Sequence, residues 1–267
     1  QIWLEPGEEM KLKELLKAVA VVSANDACVA IAEHLYGTQS EFVEEMNNKA
    51  QELGMKNTKF YNTNGLPVSE EGKENYTTAY DVTLMSRALL KYPLVLEYTS
   101  IWVDHLRDGE SFLRNTNDLV RFYKGVDGIK TGYTSEAGFC LSATAKQNGM
   151  RFIAVVMNAP SSEVRFAETK QLLSYAFNIY RSISVVKKGA KVGEVSVFKG
   201  KKARVTAVAQ ESLQVTVKKG EEDKLVKKSK LTEEVVAPVE PGQQVGTIIA
   251  LKGDEKIDSV KVVAKSG

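Results

Sequence analysis

The chain has 267 residues, of which 43% are hydrophobic and 26% charged, with a formal net charge of +2. That length holds two modest domains or one large one, the composition is that of an ordinary globular protein, and the near-neutral balance gives no case for nucleic acid. Two cysteines are too few for a disulfide scaffold, and two histidines without HExxH or CxxC spacing leave a zinc hydrolase nothing to bind with, so no metal or cofactor is expected.

Residues 1–10 read as an entry loop around Pro6-Gly7. Residues 11–22 form a helix with Leu12, Leu15, Leu16 and Val19 on one face. Ser23-Ala24-Asn25 falls at a break between helices, a suitable place for polar groups that must point into a cleft, and helix resumes over 27–35, ending near Gly37. Ser40 caps the next helix, whose Phe42, Val43, Met46, Ala50 and Leu53 face inward and whose stop is Gly54. After a loop over 57–67, Thr78 or Asp81 starts a helix carrying Val82, Leu84, Met85, Ala88 and Leu89, and Pro93 ends it. Strands over 101–103 and 111–113 flank the turn signal Asp108-Gly109. Strands over 138–145 and 152–157, divided by Asn148-Gly149, are expected to form a sheet with the segment around Lys130. Ser161 or Ser162 caps a long helix with Phe166, Leu172, Leu173, Ala176, Phe177 and Tyr180 at helical spacing. Both histidines, His34 on a helix and His105 in a hairpin arm, read as structural, and Cys28 and Cys140 as buried packing thiols.

From Ser184 the texture changes. Val192, Val195 and Val197, then Ala203, Val205 and Ala207, then Leu213, Val215 and Val217 alternate with polar residues at period two. The expectation is an α/β (α+β) domain over 1–183, in which an antiparallel sheet backs a helical cluster, followed by a small, sandwich-like antiparallel β domain over 184–267 for spacing or docking. Phe198 is the sole aromatic residue of the second part, so base stacking is not on offer there. Residues 1–183 hold 19 Lys plus Arg against 23 Asp plus Glu, a net −4, and residues 184–267 hold 17 against 11, a net +6. The basic part suits either an anionic membrane or wall polymer, or simply a solvated lysine-rich face.

Two triplets carry chemistry. Lys130-Thr131-Gly132 suits a sheet edge beside a pocket: Gly132 lets a peptide lie against the backbone as an added strand, Lys130 places a positive charge near an anion, and Thr131 offers a hydroxyl to a carboxylate. In the S-x-N triplet, Ser23 can relay a proton and Asn25 can hold an amide through its donor and acceptor.

With Leu53-Gly54-Met55-Lys56-Asn57-Thr58, Asn64-Gly65-Leu66, Asn115-Thr116-Asn117, Val126-Asp127-Gly128 and Ser135-Glu136-Ala137-Gly138, these triplets resemble the low-molecular-mass penicillin-binding proteins that are serine-type D-alanyl-D-alanine carboxypeptidases, from Gln1 to about Arg181. Tyr133 is similar to the Gram-positive, sporulation-associated branch. The resemblance implies a peptidoglycan stem peptide ending in D-Ala-D-Ala as substrate, β-lactam antibiotics as inhibitors, and an extracytoplasmic, cell-envelope location. It assigns Ser23, Asn25 and Lys130 to catalysis, and Thr131, Gly132, Tyr133 and Arg165 to substrate binding. Tyr133 would give its backbone N–H to an oxyanion hole, and Arg165 would lie near the terminal carboxylate. Thr116 stands where some relatives carry an arginine, which shifts carboxylate binding toward Lys130, Thr131 and Arg165.

One departure matters. The family's nucleophile sits in a Ser-x-x-Lys pair ahead of the S-x-N triplet, and no such pair precedes Ser23 here. Ser184 with Lys187 and Ser196 with Lys199 match the spacing but fall in the strand-like second part and are rejected. The chain is therefore expected to begin inside the catalytic domain and to be inactive alone. Its end at Ala264-Lys265-Ser266-Gly267 has no amphipathic anchor, so membrane proximity would come from a C-terminal anchor outside this chain. A non-catalytic module binding wall peptides is the alternative. A class A β-lactamase is disfavoured by the trailing β domain.

Overall fold

The computed structural model describes residues 1–67 and 73–265. The chain forms two compact units, Gln1–Gln147 with Arg151–Ala176, and Asn148–Met150 with Phe177–Gly267.

In the first unit, helix α1 (Leu12–Val22) buries Leu15, Ala18 and Val21 against helix α2 (Asn25–Tyr36), which contributes Ala27 and Ile31. Leu12, expected on the inner face, is 42% exposed in the first turn. Its place in the stripe is taken by Lys17, whose stem packs inward while Nζ donates to the His105 carbonyl at 2.8 Å and pairs with Glu14 at 2.9 Å and Asp104 at 3.1 Å. His105 belongs to strand β1 (Val103–Leu106), paired with β2 (Ser111–Arg114); Leu106 and Leu113 complete this core. The turn between them runs through Arg107, Asp108 and Gly109, all at positive φ, and is longer than a two-residue hairpin.

Helix α3 (Gln39–Glu52) is capped by Thr38, two residues before the expected Ser40. Thr38 is extended and its hydroxyl accepts from the Glu41 amide at 3.2 Å and donates to the Glu41 carboxylate at 3.0 Å, a reciprocal cap that Ser40, already inside the first turn, cannot make. Gly54, with φ +75, ends the helix as expected. Thr78 caps α4 (Ala79–Leu89) through the Asp81 amide. Pro93 does not merely stop α4. It opens a separate short helix, α5 (Pro93–Thr99), because the first helical position needs no N–H donor and favours proline's fixed φ. A single turn, α6 (Leu119–Phe122), follows the hairpin.

Strands β3 (Val126–Thr134), β4 (Gly138–Gln147) and β5 (Met150–Ala159) form one sheet in that order, with β3 at its edge and antiparallel to β4. Helix α7 (Ser162–Ile179) is capped by Ser161, whose hydroxyl accepts from the Val164 amide. Its buried residues are Arg165, Thr169 and Leu173, whereas Leu172 is 46% exposed and Tyr180 already begins the next strand. Leu173 is buried and Phe166, Ala176 and Phe177 are half-buried, as the spacing implies, but the packed face also carries an arginine and a threonine.

The second unit starts its first strand, β6 (Tyr180–Val186), ahead of Ser184. β6 pairs with β9 (Leu213–Lys218), and a six-stranded sheet runs β10-β12-β13-β8-β7-β11. Its strands are β7 (Lys191–Phe198), β8 (Arg204–Ala209), β10 (Leu225–Leu231), β11 (Glu234–Val236), β12 (Gln244–Lys252) and β13 (Glu255–Ala264). Leu213, Val215 and Val217 point inward with Val195, Ala207, Ile248 and Val262, so both sheets share one core. The expected all-antiparallel pairing holds except at β11, which lies parallel to β7. Ser184 and Ser196 lie on strands of the second unit, and Lys187 and Lys199 fall just past the ends of those strands.

Candidate active site

Three segments meet around the open end of β3. The first is the turn between α1 and α2. Ser23 closes α1 in the left-handed conformation (φ 60°, ψ 46°), and Asn25 opens α2. A non-glycine residue in that region costs on the order of 1 kcal/mol and persists only where its surroundings enforce it. Here Asp26 does so: its carboxylate accepts from the Ile2, Leu4 and Ala27 amides at 3.0–3.2 Å, fixing the start of α2 to the chain's first residues. Partial burial works against ionisation of Asp26, yet these amides hold its pKa below the usual carboxylate value.

The second segment is Asn115-Thr116-Asn117, which acts as a clip. Thr116 N–H donates to the Val21 carbonyl at 3.0 Å, next to the Ser23 turn. The buried Asn115 amide donates to the Thr99 and Ile101 carbonyls at 3.1 and 2.7 Å, and its oxygen accepts from Asn117 N–H at 2.9 Å. Asn117, 1% exposed, donates to the Gly128 carbonyl at 3.2 Å. The end of α5 and β3 are thus joined by side-chain amides, and the end of α1 by the Thr116 backbone N–H.

The third segment is the strand itself. Thr99 donates to the Asp127 carbonyl at 2.7 Å, and Asp127 pairs with Arg151 of β5 through two 2.7 Å bonds, so the entrance to β3 is structural. Gly128 is demanded by the fold: a Cβ there would stand 2.6 Å from Thr99 Oγ1. Gly132 is different. A Cβ on it would meet nothing nearer than Cys140 Cβ at 3.9 Å, an ordinary contact, and no positive φ requires glycine.

Lys130 is half-buried, and Nζ donates to the Thr131 carbonyl at 2.9 Å. Loss of hydration pushes its pKa down to about 8; Cys28 of α2 opposes the shift and Arg165 adds to it. Both cysteines are free and only half-buried, which corrects their reading as buried packing thiols: Cys28 is close enough to Lys130 for their charges to interact, and Cys140 is opposite Gly132. Thr131 Oγ1 lies 2.7 Å from Thr116 Oγ1. Two hydroxyls sharing one hydrogen bond leave one O–H hydrogen to spare, so the pair presents a single donor toward the groove. Tyr133 stacks on Phe139 with ring centres 4.3 Å apart; its N–H faces the same side of the strand as the Thr131 carbonyl.

Arg165 is 6% exposed and lies beneath this strand. Its guanidinium donates to the Cys140 carbonyl at 3.3 Å, the Gly132 carbonyl at 3.5 Å and Ser162 Oγ at 2.9 Å, and lies 4.5 Å from the Phe166 ring centre. Nε has no partner, and no ion pair joins Arg165 among the described residues. Burial lowers its pKa from the usual arginine value, a sign of a cation short of an anion. An apolar recess of about 270 Å³ flanks Lys130–Gly132, with Val82, Met85 and Met157 in its wall and a buried Ser86–Ser142 hydroxyl pair at 2.7 Å. A larger apolar depression of about 400 Å³, walled by Leu35, Phe42 and Met46, has none of this chemistry beside it.

Lys130, Thr131 and Gly132 line one recess, Thr116 ties Thr131 to the end of α1 two residues before Ser23, and Arg165 donates to the Gly132 carbonyl; Asn25 and Tyr133 are placed by their elements, at the start of α2 and along β3. The sequence alone gives no sign of Asn115 and Asn117 as the clip beyond a pair of asparagines directly after a strand.

Residues 1–161 match the family model for D-alanyl-D-alanine carboxypeptidases, and residues 180–267 match that for the C-terminal domain of penicillin-binding protein 5. The chain belongs to the D-alanyl-D-alanine carboxypeptidase family. It is 45% identical over 269 residues to D-alanyl-D-alanine carboxypeptidase DacF of Bacillus subtilis, covering 99% of this chain and 68% of that protein. Among solved structures, the peptidoglycan synthesis regulatory factor PBP3 of Streptococcus pneumoniae is 31% identical with a TM-score of 0.84, over 96% of this chain and 77% of that one. Penicillin-binding protein D2 of Listeria monocytogenes, solved with bound cefotaxime, is 38% identical with a TM-score of 0.58, over 63% of this chain and 67% of that one. The chain thus spans about two thirds of the length of its B. subtilis relative. Family membership carries the serine-peptidase class and the mixed α/β fold with a trailing β domain.

Proposed function

We propose that the groove along β3 receives the D-Ala-D-Ala end of a peptidoglycan stem peptide, as the substrate-binding part of a serine-type D-alanyl-D-alanine carboxypeptidase acting outside the cytoplasm. The observation that carries this reading is Gly132. The fold has room for a side chain there, so the absence of one is explained by an extended ligand passing close to the strand. Peptide groups of the ligand pair with the open edge of β3. Asn25 holds the amide of the residue ahead of the scissile bond, and the Thr131–Thr116 hydroxyl pair, Lys130 and the cation of Arg165 attract the terminal carboxylate. A bound carboxylate also supplies Arg165 with its missing counter-charge.

In the reaction, a serine oxygen adds to the penultimate carbonyl and the Tyr133 N–H faces the developing oxyanion. The peptide C–N bond breaks, D-alanine leaves with a proton delivered along Ser23 and Lys130, and water then hydrolyses the ester. Lys130, with its pKa near 8, can hold or give up that proton close to neutral pH. β-Lactams enter the same groove as acylating analogues. None of the groove residues of this chain forms a Ser-x-x-Lys pair, so we place no nucleophile among them: the chain alone binds without turnover.

The test is calorimetric titration with diacetyl-Lys-D-Ala-D-Ala. Wild-type chain should bind it in preference to the L-Ala-L-Ala epimer. Gly132→Val should lose affinity by about tenfold or more, while its melting temperature stays within a few degrees. Equal affinity in the two proteins would overturn the assignment of the groove. A fluorescent penicillin should leave no covalent label on this chain, and a stable adduct would show that a nucleophile is present after all.

A further inference from the structure

We propose that the β7–β8 hairpin tip of the second unit docks on an anionic lipid bilayer. The tip is closed by Val197 N–H donating to the Ala203 carbonyl at 2.9 Å. Lys199, Lys201, Lys202 and Arg204 all lie exposed within it. Lys265 joins them, because its N–H donates to the Thr206 carbonyl on β8 at 2.9 Å. The carboxylates nearest in the ladder stand further back along the strands. Glu194 is held by Lys191 at 2.8 Å and Arg204 at 3.6 Å, and Glu234 is opposite Ser196.

Charge alone would suit any polyanion. What selects a bilayer is the apolar pair beside the cations. Val195 points into the core, Val197 two residues on is half-buried on the same face of β7, and strand alternation turns Phe198 outward. Val236 is opposite Phe198 on β11 and shares its face. Phe198 is 49% exposed and Val236 60% exposed, so neither is used by the core that consumes their neighbours. Lys199 Nζ stays 5.3 Å from the Phe198 ring centre. An aromatic ring and a valine flanked by lysines match the boundary between headgroups and acyl chains, the lysines reaching phosphates while the apolar pair enters the interface.

The full chain should sediment with phosphatidylcholine vesicles carrying about 30% phosphatidylglycerol and not with pure phosphatidylcholine, the binding weakening as salt rises. Lys201→Glu combined with Lys202→Glu should weaken it about tenfold or more, with the melting curve as the check on folding. A Phe198→Trp variant keeps an aromatic ring and should show a blue-shifted emission, quenched by brominated lipid, on anionic vesicles alone. Failure to bind anionic vesicles, equal binding to neutral ones, or binding without quenching of Trp at position 198 would each overturn the proposal. The last result, with equal affinity for a soluble teichoic acid, would identify a polyanion site in place of a bilayer site.

Discussion

At the scale of single residues, the chemistry of Lys130 is strongly altered by its surroundings. Its pKa of about 8 lies below the ordinary lysine value of 10.5, chiefly through lost hydration. Between these values the unfolded chain binds more protons than the folded one, so the lysine's contribution to stability rises with pH across that window; below it, the buried charge is a standing cost. Ligand binding has the opposite sign. A carboxylate is drawn to the charged form, so affinity for the D-Ala-D-Ala peptide should be highest below pH 8 and fall above it, and the fall should vanish in Lys130→Met. Titration from pH 6.5 to about pH 9.5 checks this. A flat profile in the wild type would show that Lys130 does not meet the ligand's charge. Gly128 and Gly132 show why sequence alone cannot rank such residues. The packing of Thr99 over Gly128 shows that the fold needs a glycine there, whereas at Gly132 it leaves room for a side chain.

At the scale of elements, the clip formed by Asn115, Thr116 and Asn117 carries the alignment of the site. Asn117→Ala would leave the Gly128 carbonyl and the Leu119 amide without their partner in a buried place, at a cost of about 2–3 kcal/mol. Urea unfolding should show that loss, and the affinity for the dipeptide should fall with it; unchanged affinity would mean that β3 holds its position without the clip. The strands of the second unit were legible because one face of each is buried: Leu213, Val215 and Val217 alternate with exposed Gln214, Thr216 and Lys218. Helices were legible where apolar residues alone fill the packed stripe. They were misread where a polar group is buried with a partner, as with Lys17 in α1 and Arg165 in α7. Pro93 and Ser40 differ from expectation because proline can stop or start a helix and a serine can cap one or sit in its first turn, which only the backbone path separates. The pairing of β11 beside β7 depends on a long-range contact that no local pattern encodes. The S-x-N and K-T-G triplets were both found by motif, but the residues that hold them together follow no motif.

At the scale of the whole molecule, each unit has its own apolar core, and among the described residues no helix is long and apolar enough to cross a membrane. Val262 is fully buried in the second core. Val262→Asp would place an unpaired charge there and should abolish the second unit's share of strand signal in circular dichroism, while dipeptide affinity in the first unit stays within about twofold. A parallel loss of affinity would show that the groove depends on the β unit for its folding. The two units also treat their sheet edges differently. β10 ends the six-stranded sheet with Lys227, Lys228 and Lys230 exposed, a charged margin that discourages pairing with another chain. β3 carries one lysine, Lys130, and the proposed peptide would add along this edge. An undefended margin does not distinguish a stem peptide from a neighbouring molecule's extended segment. Self-association in concentrated solution should therefore begin at β3, and a saturating dose of the dipeptide should act as a solubiliser.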